Sequence, residues 1–394
     1  MKFKTIKIED ALDALIDYRG KTPKKSEVGI MTLSAKSVKN NYIDYSQCYY
    51  ISEEEYKRFM VRGFPKKGDI LLTTEAPLGM VARLERDDVA MAQRLLTLRG
   101  KKGVLDNDYL LYYLQSPVGQ FSLKARGTGT TVTGIKQAEF RKMEIKVPGY
   151  KIQKKIASVL RSIDKKIELN IAINNNLLEQ VLAIYRHRFV DSANQLRQTC
   201  RADEYFDISI GKTPPRKEPQ WFSTNPQDAT WVSISDMGTC GLYISESSEQ
   251  LTREAVDRHN VKIVPDNTVL LSFKLTVGRI AITDGEMTTN EAIAHFKTNK
   301  KEINEYLYCY LKCFNYQTMG STSSIATAVN SKIIKGMPFV VPTDEEITEF
   351  HGAAAPMFAK IKANQAEISN LIALRDTLLP KLMSGELDVS DIDL

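Results

Sequence analysis

Short apolar runs bounded by polar residues alternate with segments of helical spacing along most of the chain. The runs "DILLTT" (69–74) and "TVLLSF" (268–273) are each followed, after a glycine, by a second short run, "MVARL" (80–84) or "RIAIT" (279–283). These patterns predict a buried strand, a turn and a return strand. The segments "YLLYYLQSP" (109–117) and "YLYCYLKC" (306–313) have helical apolar spacing. "MEIKVP" and "MPFVVP" predict closing strands that end at Pro148 and Pro342.

After each of these two prolines the apolar positions recur at steps of three and four residues. The first stripe comprises Ile152, Ile156, Val159, Ile163, Ile167, Ile171, Leu178, Val181 and Tyr185, with Asn174 at the remaining position. The second comprises Ile347, Phe350, Ala354, Met357, Ile361, Ile368, Leu371, Leu378 and Leu382, with Asn364 in its gap. The spacing predicts two helices, each about 50 Å long, that pair as an antiparallel coiled coil. Two alternatives stay open, since each helix could pack on its own domain or on another copy of the chain.

The same order of segments occurs twice. "DYRGKTPKK" (17–25) matches "SIGKTPPRK" (209–217), and "MAQRLLTLR" (91–99) matches "TNEAIAHFK" (289–297) in pattern. "GTGTTVTGIKQAEFRKMEIKVP" (127–148) matches "STSSIATAVNSKIIKGMPFVVP" (321–342). Matching residues lie 191 to 199 positions apart. A period of this length indicates a duplicated domain, because solenoid repeats are about 20 to 50 residues long.

The predicted fold class is therefore α+β. Two duplicated mixed α/β domains, residues 1–150 and 192–342, are separated by two long helices, residues 151–191 and 343–394, the second with an acidic tail. If the helices pair within the chain, the molecule is a pseudo-twofold dumbbell.

Charge is distributed unevenly along the 394 residues, although the net charge is only +6. The four segments carry +8, +4, 0 and −6 in chain order. The opposite charges of the two helical segments suit each other, and the basic first domain suits a polyanionic partner.

Signatures of catalysis are absent. The chain has no GxGxxG or GxxxxGK[ST] loop, no HExxH motif and no carboxylate pattern of a nuclease, and its four histidines are scattered. Its five cysteines form no CxxC pair, so we expect reduced thiols, no metal site and no catalytic residue. No apolar run is long enough for a membrane span, and we expect a cytoplasmic protein without a membrane partner.

The repeated loops have the residues of a DNA-binding surface, because Arg, Lys, Ser and Thr contact phosphates and base edges. The candidates in the first copy are Arg19, Lys21, Thr22, Lys24, Lys25, Arg94, Arg126, Thr128, Thr130, Thr131 and Lys136. Those in the second copy are Lys212, Thr213, Arg216, Lys217, Lys274, Arg279, Ser321, Thr322 and Ser323. In this second copy, with zero net charge, the prediction requires that the cations cluster on one face.

Taken together, these segments resemble the specificity subunits of type I restriction-modification systems. The strongest matches are "VPGYKIQKKIASVLRSIDKKI" (147–167) and "LLPKLMSGEL" (378–387), and the resemblance covers nearly the whole chain. The second copy lacks the "QRLL" pattern, and Ile347 stands where the first copy has Gln153. Family roles of Gln93, Arg94 and Gln153 therefore carry over to the first half only.

The resemblance implies a noncatalytic subunit with two target recognition domains, each of which binds half of a bipartite site in double-stranded DNA. It further implies that the two helices set the spacer and that two methyltransferase subunits dock on them, joined by motor-nuclease subunits. S-adenosylmethionine, ATP and magnesium would be bound by those partners, and no cofactor by this chain. The predicted helix seam consists of Ile156, Ile163, Ile167, Leu178, Met357, Ile361, Ile368 and Leu378. The targeting subunit of a methylation-only or other phage-defence complex, and a structural adaptor that binds no DNA, are the alternatives.

Overall fold

The computed structural model describes residues 1–129, 133–191, 197–319 and 329–392. The chain folds into two compact units, unit 1 formed by Met1–Ile167 with Asn370–Leu394 and unit 2 formed by Glu168–Ser369. This division falls inside the two long helices, whereas the sequence pattern places boundaries at residues 150, 191 and 342, near the helix ends.

Unit 1 contains nine strands within its described residues. They are β1 (Phe3–Lys7), β2 (Leu12–Asp17), β3 (Ile30–Leu33), β4 (Tyr49–Ile51), β5 (Ile70–Thr73), β6 (Val81–Arg83), β7 (Val89–Met91), β8 (Leu95–Gly100) and β9 (Glu144–Pro148). Its helices are α1 (Ile8–Ala11), α2 (Glu53–Phe59), α3 (Asn107–Gln115), α4 (Pro117–Ala125), α5 (Gln137–Arg141) and the first half of α6 (Tyr150–Tyr185).

Unit 2 repeats this organisation with some additions. Its strands are β10 (Thr199–Arg201), β11 (Asp207–Ile210), β12 (Phe222–Ser223), β13 (Ala229–Val232), β14 (Tyr243–Ile244), β15 (Glu249–Leu251), β16 (Val269–Ser272), β17 (Ile280–Thr283), β18 (Thr288–Thr289), β19 (Ile293–Lys297) and β20 (Pro338–Val340). Its helices are the second half of α6, α7 (Ala202–Tyr205), α8 (Ile234–Thr239), α9 (Arg253–Arg258), α10 (Asn304–Cys313), α11 (Ser331–Lys335) and most of α12 (Asp344–Ser384).

The sheets of the two units share a common strand order, to which unit 2 adds the edge strands β12 and β14, and this confirms the duplication. Unit 1 has a two-stranded sheet β1-β9, a central sheet β2-β8-β5-β6 and a sheet β4-β3-β7. Unit 2 has the corresponding sheets β10-β20, β11-β19-β16-β17-β14 and β12-β15-β13-β18. The parallel pairing of β3 with β7 recurs as that of β13 with β18. The predicted strand-turn-strand units are the antiparallel pairs β5/β6 and β16/β17.

A glycine closes the turn of each of these hairpins for the same reason. Gly79 and Gly278 have φ of +93° and +90°, where a residue with a side chain is strained. A Cβ at Gly79 would lie 2.7 Å from the side-chain oxygen of Gln120, and one at Gly278 would lie 3.1 Å from the ring of Tyr316. The positive φ therefore favours glycine at both positions, and a larger residue would also displace the side chain of Gln120 or Tyr316.

Helix α3 forms much of the unit 1 core, as its apolar spacing predicts. Its N-cap Asp106 accepts hydrogen bonds from the backbone N–H groups of Asp108 and Tyr109, and its residues from Tyr109 to Leu114 are buried. Pro117 at the first turn of α4 then starts a new helix. Helix α10 buries the corresponding residues of unit 2.

In unit 1, the first half of α6 and the end of α12 run antiparallel. Lys155 donates to the carbonyl of Ser390 (2.7 Å), in the segment after α12, and Arg375, on α12, donates to the carboxylate of Asp164 (3.1 Å), so residue numbers fall along α12 and the segment after it as they rise on α6. Apolar residues between these polar contacts belong to the unit 1 core, among them Ile156, Leu160 and Leu382.

In unit 2, the two helices also pair antiparallel, through amide side chains. Asn170 donates to Glu367 (2.9 Å), and Asn364 donates to Asn174 (2.8 Å). The pairing of the helices within the chain is therefore confirmed, and part of the seam is polar. No helix in the described part of the chain combines the length and apolarity that a membrane span requires.

Residues of the predicted seam differ in how deeply they are buried. Ile156, Ile163, Ile167 and Ile361 are buried, whereas Leu178, Met357, Ile368 and Leu378 are half-buried. The assignment of Ile171 to the stripe is wrong, because its side chain is 46% exposed while Asn170 is buried. The steps of four from Ile163 to Ile171 each turn the side chain about 40° past a full helical turn, so the third position leaves the seam.

Candidate nucleic-acid interface

Three loops of unit 1 that the sequence selects meet at one edge of the central sheet. The N–H of Thr74, at the end of β5, donates to the carbonyl of Arg94 (3.0 Å), in the loop before β8. The N–H of Ile135 donates to the carbonyl of Thr74 (2.9 Å), which brings in the loop between α4 and α5. Arg19, just after β2, donates to the carbonyl of Ile135 (2.6 Å). Residues more than 100 positions apart therefore lie at one site.

An ion pair of Arg94 and Glu75 lies at the centre of this edge. The Nε of Arg94 is 2.7 Å from the carboxylate of Glu75, and both side chains are about half exposed. Arg94 has φ of +68°, which is unusual for a residue with a long side chain. The pair presents both a donor and an acceptor to solvent, and both groups can bind base edges.

The "GKTPKK" loop of unit 1 provides unpaired cations. Lys21, Lys24 and Lys25 are exposed, and none makes an ion pair with another described residue. The backbone N–H of Lys24 donates to Glu55 (3.0 Å), and this bond, with Arg58, lowers the pKa of that carboxyl group. The Nζ of Lys25 lies 4.9 Å from the ring centroid of Tyr49. The loop is thus anchored through its backbone and leaves its ammonium groups in solvent.

The remaining candidates of unit 1 are peripheral or outside the described residues. Thr22, Thr128 and Lys136 are exposed, and Arg126 forms an ion pair of 3.8 Å with Glu139. Thr130 and Thr131 lie outside the described residues. Sequence reasoning missed Arg62, which donates to the carbonyls of Asp17 and Arg19 and so holds the loop in place.

In unit 2, the "GKTPPRK" loop is fixed by its backbone in a similar way. The N–H of Lys212 donates to the carbonyl of Thr289 (2.9 Å), and the indole N–H of Trp231 donates to the carbonyl of Lys212 (3.2 Å). The hydroxyl of Thr213 hydrogen-bonds the carboxylate of Glu291. Lys212 and Lys217 remain exposed.

Arg216 has a more confined environment than the lysines. Its guanidinium carbon lies 4.1 Å from the ring centroid of Phe222 and 4.6 Å from that of Trp231. Glu249 accepts from both terminal nitrogens, at 3.0 and 2.9 Å. These partners hold the guanidinium plane, although half of the side chain is exposed. The supporting residues Phe222, Trp231 and Glu249 carry no sequence signal of this role, since they belong to other strands.

The turn between β16 and β17 lies beside this loop, because the N–H of Phe273 donates to the carbonyl of Ala292, next to Glu291. Lys274 is exposed and has no ion-pair partner among the described residues. Arg279 is half-buried, and its guanidinium donates to the carbonyl of Ile234 in α8 (2.5 Å). Arg279 therefore has a partner inside the unit. Ser321, Thr322 and Ser323 lie outside the described residues.

The two units differ most at the position of the Arg94–Glu75 pair. In the aligned sequences Lys274 replaces Glu75 and Ala292 replaces Arg94. Unit 1 therefore presents a neutralised pair at this place and unit 2 an isolated ammonium group. The same backbone presents different chemistry in each unit.

His295 is a core residue and has no ligand role. Its ring nitrogens lie 3.0 Å from the hydroxyl of Ser209 and 2.7 Å from that of Thr289. Burial, with Lys297 nearby, lowers the pKa of His295 to about 3. Among the residues that the structure describes, no group of three or more His, Cys, Asp or Glu side chains is arranged to hold a metal ion.

Comparison with known proteins identifies the family. The model of the type I restriction modification DNA specificity domain matches residues 2–179 and 197–365. The MjaIX specificity subunit of Methanocaldococcus jannaschii, from a type I restriction enzyme, is 27% identical over 366 residues, covering 87% of this chain and 82% of that protein. The HindI specificity subunit of Haemophilus influenzae is 20% identical over 404 residues, covering 82% of this chain and 87% of that protein.

The fold is also similar to that of a solved member. The crystal structure of the type I restriction-modification S subunit from M. genitalium superposes with a TM-score of 0.60 at 16% identity, covering 97% of this chain and 96% of that one. The family model matches both halves of the chain, in agreement with the repeat. The chain therefore belongs to the family of type I restriction-modification DNA specificity subunits.

Proposed function

We propose that unit 1 and unit 2 each bind one half of a bipartite site in double-stranded DNA. The observation that carries this proposal is the duplicated set of cation-bearing loops, each anchored by its backbone and presenting lysines to solvent. Backbone anchoring leaves the side chains free to bind phosphates and base edges. The difference between Glu75–Arg94 and Lys274–Ala292 supports two different half-sites.

The long helices would set the spacing between the half-sites. A stiff helical pair fixes both the distance and the phase between two reading surfaces, so only one spacer length can be bound at both ends. The polar contacts Asp164–Arg375 and Asn174–Asn364 support this role, because buried polar pairs fix the register of paired helices.

The partners would be methyltransferase and motor-nuclease subunits. Relatives of this chain are specificity subunits of type I restriction enzymes, and such a subunit supplies recognition and no catalysis. We place two methyltransferase subunits on the long helices, where Leu169, Ile171, Ile372 and Leu374 expose apolar surface. S-adenosylmethionine, ATP and magnesium would be bound by these partners, and the complex would act in the cytoplasm.

Methylome sequencing tests the proposal directly. The chain is expressed with its methyltransferase subunits in a host that lacks other adenine methylation. We expect one split motif with a constant spacer. Deletion of residues 192–342 should preserve the half of the motif that unit 1 reads and abolish the rest, and deletion of residues 1–150 should do the opposite. A short continuous motif would contradict the proposal.

A further inference from the structure

Leu275, at the tip of the turn between β16 and β17, is almost completely exposed. Its side chain is 99% accessible, and its φ is +61°. The N–H of Thr276 donates to the carbonyl of Lys274 (2.6 Å), so a three-residue turn closes around Leu275. A large apolar side chain is thus held in solvent on a backbone conformation that disfavours it.

The backbone of the surrounding turn is closed by several hydrogen bonds. The buried hydroxyl of Ser272 donates to the carbonyl of Thr276 (2.6 Å) and accepts from the N–H of Arg279 (3.0 Å). The N–H of Gly278 donates to the carbonyl of Ser272 (3.0 Å). These bonds tie the backbone of the tip to the ends of two buried strands, so the turn always presents Leu275 at the same end of this hairpin.

Folding gives no reason for leucine at this position. Glycine or asparagine adopts a positive φ with little strain, and a fully exposed leucine contributes no buried apolar surface. The equivalent residue of unit 1, Ala76, also has a positive φ, of +53°, but has only a methyl group. Strained residues that the fold does not need cluster at functional sites.

The neighbours of Leu275 belong to the candidate interface of unit 2. Lys274 precedes it and has no ion-pair partner among the described residues. Through Phe273 and Ala292 the turn is linked to the segment of Glu291, which hydrogen-bonds Thr213 of the "GKTPPRK" loop. The apolar tip therefore lies next to the exposed Lys274 and is linked through the segment of Glu291 to the "GKTPPRK" loop.

We propose that Leu275 determines specificity by contacting the 5-methyl group of a thymine in the half-site of unit 2, with Lys274 at a neighbouring phosphate. The inference rests on the proposed DNA recognition and extends it to one residue and one base. The thymine methyl group is the apolar feature of the base edges in the major groove, and apolar side chains recognise it there. Unit 1 has Ala76 and the Glu75–Arg94 pair at this place, so a leucine contact of this kind belongs to unit 2 alone.

Replacement of thymine by deoxyuridine tests the contact, because it removes only the methyl group. The full chain, in complex with its methyltransferase subunits, first selects its site from a pool of randomised duplexes. Each thymine of the unit 2 half-site, on either strand of the duplex, is then replaced in turn. We expect one replacement to weaken binding about fourfold, which corresponds to the burial of one methyl group.

Variants then assign this effect to the side chain. Leu275→Asn keeps the size and tolerates the positive φ, and it should bind thymine and deoxyuridine equally. Ile263→Ala is the matched control, since Ile263 is another exposed aliphatic residue of unit 2, and it should keep the fourfold difference.

Two results would overturn the inference while the proposed function stands. One is a wild-type complex that selects a split site but is indifferent to every replacement, or whose unit 2 half-site contains no thymine. The other is a Leu275→Asn complex that keeps the fourfold difference. Selection of no preferred sequence would instead overturn the proposed function, and this inference with it.

Discussion

His295 shows how a residue with potential chemistry serves the core of unit 2. The imidazole is completely buried and hydrogen-bonded to Ser209 and Thr289. Burial favours its neutral form, in which one ring nitrogen donates and the other accepts. The sequence, in which His295 follows an apolar run, does not separate this role from that of an isolated ligand.

The lowered pKa of His295 predicts a loss of stability in acid. The unfolded chain binds a proton near the ordinary pKa of about 6.5, whereas the folded unit resists protonation until about pH 3. The contribution of neutral His295 to the free energy of unfolding is fully present above pH 6.5. It declines as the pH falls toward 3, at up to about 1.4 kcal/mol per pH unit. Both tryptophans, Trp221 and Trp231, belong to unit 2, so their fluorescence during urea denaturation reports its unfolding.

His295→Gln should remove this acid sensitivity, since glutamine does not titrate and can hydrogen-bond both hydroxyls. Gln227→Ala, at an exposed position of unit 2 that does not titrate, is the control and should leave the pH profile unchanged. If the free energy of unfolding of His295→Gln still falls between pH 6 and 4 as steeply as that of the wild type, another group causes the acid sensitivity.

At the scale of elements, the long helices combine an apolar core with polar pairs. In unit 1, Asp164 accepts from the hydroxyl of Tyr112 in α3 (2.6 Å) and from Arg375 in α12 (3.1 Å). Burial and the neighbouring carboxylate raise the pKa of Tyr112, so its hydroxyl remains a donor. A single carboxylate thus connects three helices, and its loss would leave the Tyr112 hydroxyl without its acceptor and Arg375 with Asp376 alone as its carboxylate partner.

We expect Asp164→Ala to lower the free energy of unfolding of unit 1 by about 2 kcal/mol, because it leaves the buried hydroxyl of Tyr112 without its acceptor and removes one of the two carboxylates that bind Arg375. Asp376→Ala is a matched control, since Asp376 binds the same Arg375 from an exposed position and should cost about 0.5 kcal/mol or less. Amide hydrogen exchange of α3 measures both effects within unit 1. Equal losses of unfolding free energy in the two variants would contradict the role of Asp164 as the carboxylate that connects the three helices.

Tertiary contacts also override local preference in α12. Gly352, Pro356 and Pro380 lie inside this helix, although proline removes a backbone donor from a helix interior. The buried side chains of Phe350, Ala354 and Phe358 pack in the unit 2 core around the first two of these positions. Burial of one face therefore maintains a helix that propensity alone would interrupt.

At the scale of the whole molecule, binding of DNA should depend steeply on salt. Neutralisation of about six phosphates would reduce the affinity about 10³-fold between 50 and 200 mM salt, because bound counterions are released. The double variant Lys212→Gln with Lys217→Gln should reduce the slope of log affinity against log salt by about 2. Titration of a labelled duplex at several salt concentrations measures this slope.

Lys360→Gln is the control for that measurement, since Lys360 is an exposed cation on α12 rather than in the "GKTPPRK" loop. It should leave the slope unchanged. A salt-independent affinity would indicate that the loops bind something other than a phosphate backbone.

The sequence by itself determined the duplication, the strand-turn-strand units, α3, α10 and the two long helices. Each depends on spacing that a short window contains, because periods of about two and 3.6 residues decide which face of an element is buried. The glycines at 79 and 278 and the closing prolines belong to the same local information. The order of matching segments was also sufficient to indicate the family.

Only the tertiary structure decided which side chains meet. The partnership of Arg94 with Glu75, the enclosure of Arg216 by Phe222, Trp231 and Glu249, and the engagement of Arg279 with Ile234 all join separate segments. Asn170, rather than the predicted Ile171, is buried in the seam, because an α-helix of 3.6 residues per turn drifts relative to a stripe with steps of four. Such contacts follow from how the chain closes on itself, and periodicity, which records only the side of an element that is buried, contains no information about them.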